Sequence, residues 1–377
     1  MANAVQRFRE AIEAVHAGRA EARLAWWRRA ERDESWRRAA DALLSEQGEE
    51  WISEAQAARV LTPEQDALCV QQRALLAAQT RQAPLAQLDA RLFTTKVPCG
   101  SEALPASAIL DALLTSTDAN TGAVQAKALG DALGAQARER CELRSEAELT
   151  LQAFGADLQP AIAARKSAET FLRATDDAAS ELVPWLTHAV APRSRAHAHA
   201  LLCSLRRREL DGFAKADRRF YRLTEGLRRL GFERDLNGRV RAEPCAPGVF
   251  PSLQRWAARD VPRDVRVAGT VRDLGVLSDF DGAAAIGGGL ALALVSPVLA
   301  AEERLPLAGA VPEAFAGMML RLRADRLYLR RCEGLSARDA ENVARHFAIL
   351  LLLATRASAA LELAAATHAR NLAEREE

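Results

Sequence analysis

The chain has 377 residues, 49% hydrophobic, 27% charged and 5% aromatic, with 51 Lys or Arg against 50 Asp or Glu and a formal net charge of +1. That length can bury a substantial core, and the balanced charge excludes a global field drawing the molecule to nucleic acid or to an anionic membrane. The positive charge is nearly all arginine, with lysine only at 96, 127, 166 and 215; together with the alanine content this reads as genome composition rather than a phosphate-binding bias.

The N-terminal stretch "MANAVQRFREAIEAVHAGRAEARLAWWRRA" has the pattern of an amphipathic helix. It carries charge throughout and no uncharged apolar run, so no secretory signal is expected. Cysteines 69, 99, 141, 203, 245 and 332 are scattered without a Cys-x-x-Cys pair, which fits reduced thiols in a cytoplasmic protein. From residue 1 to about 230, apolar residues recur at spacings of three and four, predicting helix after helix. Breaks are expected at Thr62-Pro63, at "KVPCGSEALP" (96–105), at "STDANTG" (116–122) and at "VAPRS" (190–194). No fixed period suggests a solenoid.

Two features of this half invite a functional reading. "RLAWWRRAERDESWRRAA" interleaves Trp26, Trp27 and Trp36 with Arg28, Arg29, Arg37 and Arg38, a mixture that can stack and track single-stranded nucleic acid. At helical spacing the same residues make a buried Trp stripe with a charged, solvated side, and that reading is preferred. His197 and His199 resemble metal ligands, but positions i and i+2 of a helix face different sides. No metal and no cofactor is expected. His346 and His368 read as ordinary helix residues.

The texture changes near 230. "GFERDLNGRVRAEPCA" predicts two short strands joined at Asn237-Gly238, and Pro244, which has no N–H, should lie at a sheet edge. "RDVRVAGTVRDLG" predicts a strand over 264–271. A Gly-rich apolar helix follows at 282–296, then a helix from Pro312 to about Arg331, and a last long helix capped by Ser336 with Asp339 in its first turn. The uncharged run from Ala283 to Ala301 is long enough to weigh as a membrane span, yet its Gly, Pro and Ala content argues against one. The expectation is a mainly α protein with one small sheet of about three strands, divided into a helical domain (1–229) and a core (230–377).

The order of pieces in 230–377 resembles the M3-type zinc metallopeptidases and the wider gluzincin group. "RAEPCA" (241–246) resembles the family's first strand and "DVRVAGTV" (264–271) its second. "LSDFDGAAA" resembles the approach to the zinc helix, and "PEAFA" (312–316) the helix carrying the third ligand. The resemblance implies a multi-helix metallopeptidase-like fold around a peptide cleft. At the positions of the His-Glu-x-x-His motif this chain has Ile286, Gly287 and Leu290, leaving Glu313 alone to match a ligand. Zinc hydrolysis needs three protein ligands and a general base, so the resemblance implies a pseudopeptidase.

The expectation is therefore a non-catalytic peptide-binding protein that takes up an extended peptide by strand addition. Its site would comprise Val240, Arg241, Ala242, Glu243 and Cys245 on the edge strand, Gly287, Gly288 and Gly289 as the cleft floor, and Glu313. Such a protein could present a precursor peptide to modifying enzymes in a biosynthetic pathway, or partner a related protein. Against the cleft floor stands tight helix packing at the glycines; against the ligand role of Glu313 stands a dipole-stabilised acid just after Pro312. Other readings are an enzyme using Glu313, Asp279 or Asp281 as acid or base, an Arg/Trp nucleic-acid binder working through residues 23–38, and a helical scaffold. Cys245 as a nucleophile lacks an evident His partner.

Overall fold

A computed structural model describes the backbone of all residues except 1, 32–35, 82–87, 89–90, 92–93, 100–101, 116–117, 155, 157–158, 189–197, 216–218, 233–235, 237, 247–254, 270–273, 306–309 and 377. Helix accounts for 78% of the structure, with one sheet of three strands and one of two, so the molecule is mainly α. The N-terminal part carries α1 (Ala2–Arg28), α2 (Trp36–Leu44), α3 (Glu46–Ala57), α4 (Pro63–Arg81), β1 (Lys96–Cys99), β2 (Glu102–Pro105), α5 (Ala106–Thr115), α6 (Ala119–Ala153), α7 (Gln159–Ala174), α8 (Asp176–His188), α9 (Ala198–Arg206) and α10 (Arg219–Arg229). There follow β3 (Val240–Pro244), β4 (Trp256–Asp260), β5 (Asp264–Gly269), α11 (Val276–Ala293), α12 (Ala301–Arg304), α13 (Ala310–Arg323), α14 (Arg326–Cys332) and α15 (Ala337–Glu376).

Helix starts follow local chemistry. At α4, Thr62 and Gln65 exchange hydrogen bonds, each side chain accepting from the other's backbone N–H at 3.2 Å, a reciprocal cap. Asp118 caps α6 through the Asn120 N–H at 3.0 Å, and Ser336 caps α15 through the Asp339 N–H at 3.2 Å. The expected break at 96–105 falls between helices and holds an antiparallel pair, β1 with β2, in which Val97 faces Leu104, a second sheet where one was expected. The helix expected from Pro312 to Arg331 is two: Asp325 accepts from the Leu327 and Tyr328 N–H groups and starts α14 afresh. Of the breaks, 190–194 lies outside the described residues.

The three-stranded sheet has the order β3-β5-β4. β3 runs parallel to β5, Ala242 beside Val267, while β4 is antiparallel to β5. The expected hairpin at Gly238 is thus corrected: β3 pairs with β5, and the hairpin of this sheet joins β4 to β5 across 261–263. Gly238 adopts φ +73°, the left-handed conformation that favours glycine, but as a lead into β3; Asn237 lies outside the described residues. β3 is an edge strand, as Pro244 requires.

α11 lies across one face of the sheet, against Val240, Val265 and Val267, and α13 packs along its other side. Nearly every residue of α11 from Ala283 onward is buried, as a helix apolar on all sides must be. The opposite face of the sheet is covered by α1: Ala20, Leu24 and Trp27 pack on Ala257, Ala268 and Cys245. One hydrophobic core consequently runs from Phe8 and Ile12 through Leu223 to Ile286 and Met319, crossing the division drawn at 229/230. Among the described residues two helices are long and apolar enough to cross a membrane, α11 and the Ala337–Thr367 part of α15. The first is 78% buried within the fold, as the core helix of the sheet.

Candidate functional site

The three glycines of α11 are accounted for by contact. Successive helix residues point about 100° apart, so Gly287, Gly288 and Gly289 face three different neighbours. A Cβ on Gly287 would lie 2.5 Å from the Phe315 carbonyl oxygen, one on Gly288 2.5 Å from the Trp256 ring, and one on Gly289 2.6 Å from Val267 Cγ1. Each distance is shorter than carbon contacts allow. The glycines let α13, β4 and β5 approach α11 at once. They are buried packing positions, and their expected role as an open cleft floor is corrected.

Glu313 is corrected likewise. Its side chain is 61% exposed at the start of α13, and its nearest cation is Arg255 at 4.0 Å, just before β4. β4 and β3 are opposite edges of the sheet, so Glu313 does not share a site with Val240–Cys245. Of the positions aligned with the zinc motif, Leu290 is fully buried in the core beside Gly287.

An open cavity of about 400 Å³ does lie at the carboxyl end of the parallel pair β3 and β5. Ala242, Pro244 and Cys245 form one wall, with Val267 to Gly269 beside them. Gly282 and Ile286 of α11 form the floor, and Arg219, Phe220 and Leu223 of α10 the far wall. Two of the expected site residues, Ala242 and Cys245, therefore line it. The α10 wall and Gly282 escaped sequence reading, because nothing local signals which amphipathic helix will stand beside a strand end.

The edge itself has a defined polarity. Val265 N–H donates to the Arg239 carbonyl at 2.8 Å. In a parallel ladder alternate residues bond to the neighbour, so Arg239, Arg241 and Glu243 bond toward β5. The N–H and C=O of Val240 and Ala242, and the C=O of Pro244, point to the outer edge. Pro244 therefore sits where its missing N–H removes no bond to β5. Among the described residues no strand pairs with this outer edge. Ala242, Arg241 and Pro244 are exposed, while Val240 and Glu243 are buried.

Side chains alternate across the strand. Val240 and Ala242 face α11. Glu243 faces the α1 side, where it is nearly enclosed and accepts from Arg28 Nε at 2.7 Å and from Arg266 Nη1 at 3.4 Å. Arg241, on that same side, is exposed, and its Nε donates to the Gly238 carbonyl at 3.2 Å. The Cys245 thiol, packed under α1, is pushed up to about 12 by burial and then by Glu243, which disfavours the thiolate a nucleophile needs.

The carboxylates proposed as acid or base do not converge. Asp279 is fully buried and accepts from Arg219 Nε at 3.1 Å, from Arg323 Nη2 at 2.8 Å and from Arg222. Glu333 joins the same network through Arg222 Nη1 at 3.0 Å and through Arg323, and the Arg323 guanidinium lies 4.7 Å above the Phe347 ring. This network ties α10, α11, α13 and the α14–α15 junction together. The packing around Asp281 raises its carboxyl above the ordinary range, opposed by Arg255 and then Arg219. That side chain is 40% open to solvent, which screens its charge.

His199 is buried, with Cys203 Sγ 3.2 Å from its Nε2; His197, and the side chain of His368, lie outside the described residues. Among the described residues no group of three or more His, Cys, Asp or Glu is placed to hold a metal ion. Trp27 is fully buried, and Trp26 and Trp36 pack against the core. Trp27 is thus closed to a stacking base, while Trp26 and Trp36 are only half-buried. No protein-family model matches the chain, and neither a curated protein nor a solved structure matches it.

Proposed function

We propose that the protein is a non-catalytic binder of extended peptides, built as a degenerate metallopeptidase-like cleft, which adds a peptide as a fourth strand outside β3. The observation that carries this reading is the juxtaposition of an outward-facing row of backbone donors and acceptors at Val240, Ala242 and Pro244 with a cavity lined by Ala242 and Cys245. Main-chain bonds to such an edge supply affinity, and pockets for alternate side chains supply selectivity. The resemblance of 230–377 to M3-type peptidases adds the expectation of a peptide ligand. The lost zinc positions Ile286, Gly287 and Leu290 add the absence of hydrolysis. Presentation of a precursor peptide to modifying enzymes is the setting that suits a cleft which holds a peptide without cutting it.

The test is Ala242→Pro. The substitution deletes an outward N–H while leaving the bonds to β5, and an extended backbone accepts proline. Peptides captured by the wild-type chain, identified by mass spectrometry after gentle purification from its host, should be absent from the variant, with the unfolding midpoint nearly unchanged. Equal capture by both proteins would refute strand addition at β3.

A further inference from the structure

We propose that the edge selects a peptide alternating apolar and acidic residues, the apolar ones entering the cavity and the acidic ones facing Arg241 and Arg28; this rests on the strand-addition reading above. Cross-strand neighbours share a face of a sheet. Peptide residues opposite Ala242 and Pro244 therefore point to the α11 side, into the cavity. There the surfaces on offer are Phe220, Leu223 and Ile286. The one charged wall residue, Arg219, presents its stem: a Cβ on Gly282 would lie 3.2 Å from Arg219 Cδ. Its Nε donates to Asp279 and its Nη2 to the Ala214 carbonyl at 3.2 Å. A wall of stems and rings favours a neutral apolar side chain.

Peptide residues opposite Arg241 and Glu243 fall on the α1 side. Arg241 is exposed there, and Arg28, 44% exposed, stands over Glu243. Glu243 is only 9% exposed and already accepts from Arg28 and Arg266. The accessible charge along the rim is therefore cationic, which favours a carboxylate on the incoming strand and disfavours an ammonium.

The experiment uses two fluorescein-labelled, end-capped nonapeptides with centres Val-Glu-Val-Glu-Val and Val-Lys-Val-Lys-Val, titrated by anisotropy at one fixed salt concentration. The acidic peptide should bind the full chain about threefold to tenfold more tightly, as two exposed pairs contribute, and Arg241→Glu should reverse or erase that order. Equal affinity for both peptides, lost in Ala242→Pro, would overturn the charge selection and leave strand addition standing. Binding of neither peptide would overturn both. A concentration-dependent dimer abolished by Ala242→Pro would assign the edge to a second copy of the chain and overturn the peptide proposal.

Discussion

At the residue scale, the meaning of a glycine depends on what stands beside it. Gly287 and Gly130 are both helical, and intrinsic propensity treats them alike, at about 1 kcal/mol below alanine. The space around them does not. A Cβ at 287 meets the Phe315 carbonyl and the Ala316 backbone, whereas nothing lies within 4 Å of one at 130. Gly287→Ala should destabilise by about 1–3 kcal/mol because α11 and α13 must part, and Gly130→Ala should stabilise by about 0.5–1 kcal/mol. Urea midpoints of the two variants measure both. Changes of the same sign would mean that the close approach at 287 is not part of the folded state.

At the element scale, buried polar groups join helices that sequence separates widely. His346 of α15 is 2.8 Å from the Leu205 carbonyl at the end of α9. A carbonyl only accepts, so Nε2 carries the proton and donates. Burial lowers the His346 pKa to about 4, partly opposed by the Leu205 hydrogen bond. His16 of α1 is likewise lowered to about 4 by burial and then by Arg19, Arg23 and Arg304. Unfolded histidine takes up its proton near 6.5, well before these two do. Their neutral forms therefore contribute fully above pH 6.5, and that contribution is lost as pH falls from 6.5 toward 4. Each adds a slope of up to about 1.4 kcal/mol per pH unit in that window. The urea midpoint should drop between pH 7 and pH 5, and less steeply in His346→Gln; an unchanged slope in that variant would place the titration elsewhere.

At the scale of the whole molecule, the sheet is a shared element. α11 covers one face from the C-terminal part and α1 the other from the N-terminal part, and the Ala246 N–H donates to the Trp27 carbonyl at 2.7 Å. Arg28 and Glu243 add an ion pair across the same junction. Residues 230–377 expressed alone should leave Ala257, Ala268 and Cys245 uncovered and should not unfold cooperatively in urea. A sharp transition from that fragment would show that the division near 230 separates independent folding units. The proposed peptide edge lies along this shared sheet, so α1 shapes it through Arg28 although it contributes nothing to the cavity wall.

Local pattern alone determined the helical class, the break at Thr62-Pro63, the cap at Ser336 and the edge position of Pro244. Each depends on chemistry within a few residues or on composition around one helix. The partners of those elements are set by packing between distant segments. β4, "WAARD", has no alternation to announce a strand and exists because it pairs with β5. The run at 96–105 reads as a loop through its prolines and glycine, yet Val97 is buried against Ile109 and Leu113. Gly287–Gly289 read in sequence as an open cleft floor or as a packing site; only the fold decided for packing, against α13, β4 and β5. The cavity is lined by four elements, α10, β3, β5 and α11, so neither its place beside Ala242 nor its distance from Glu313 was written in any local stretch.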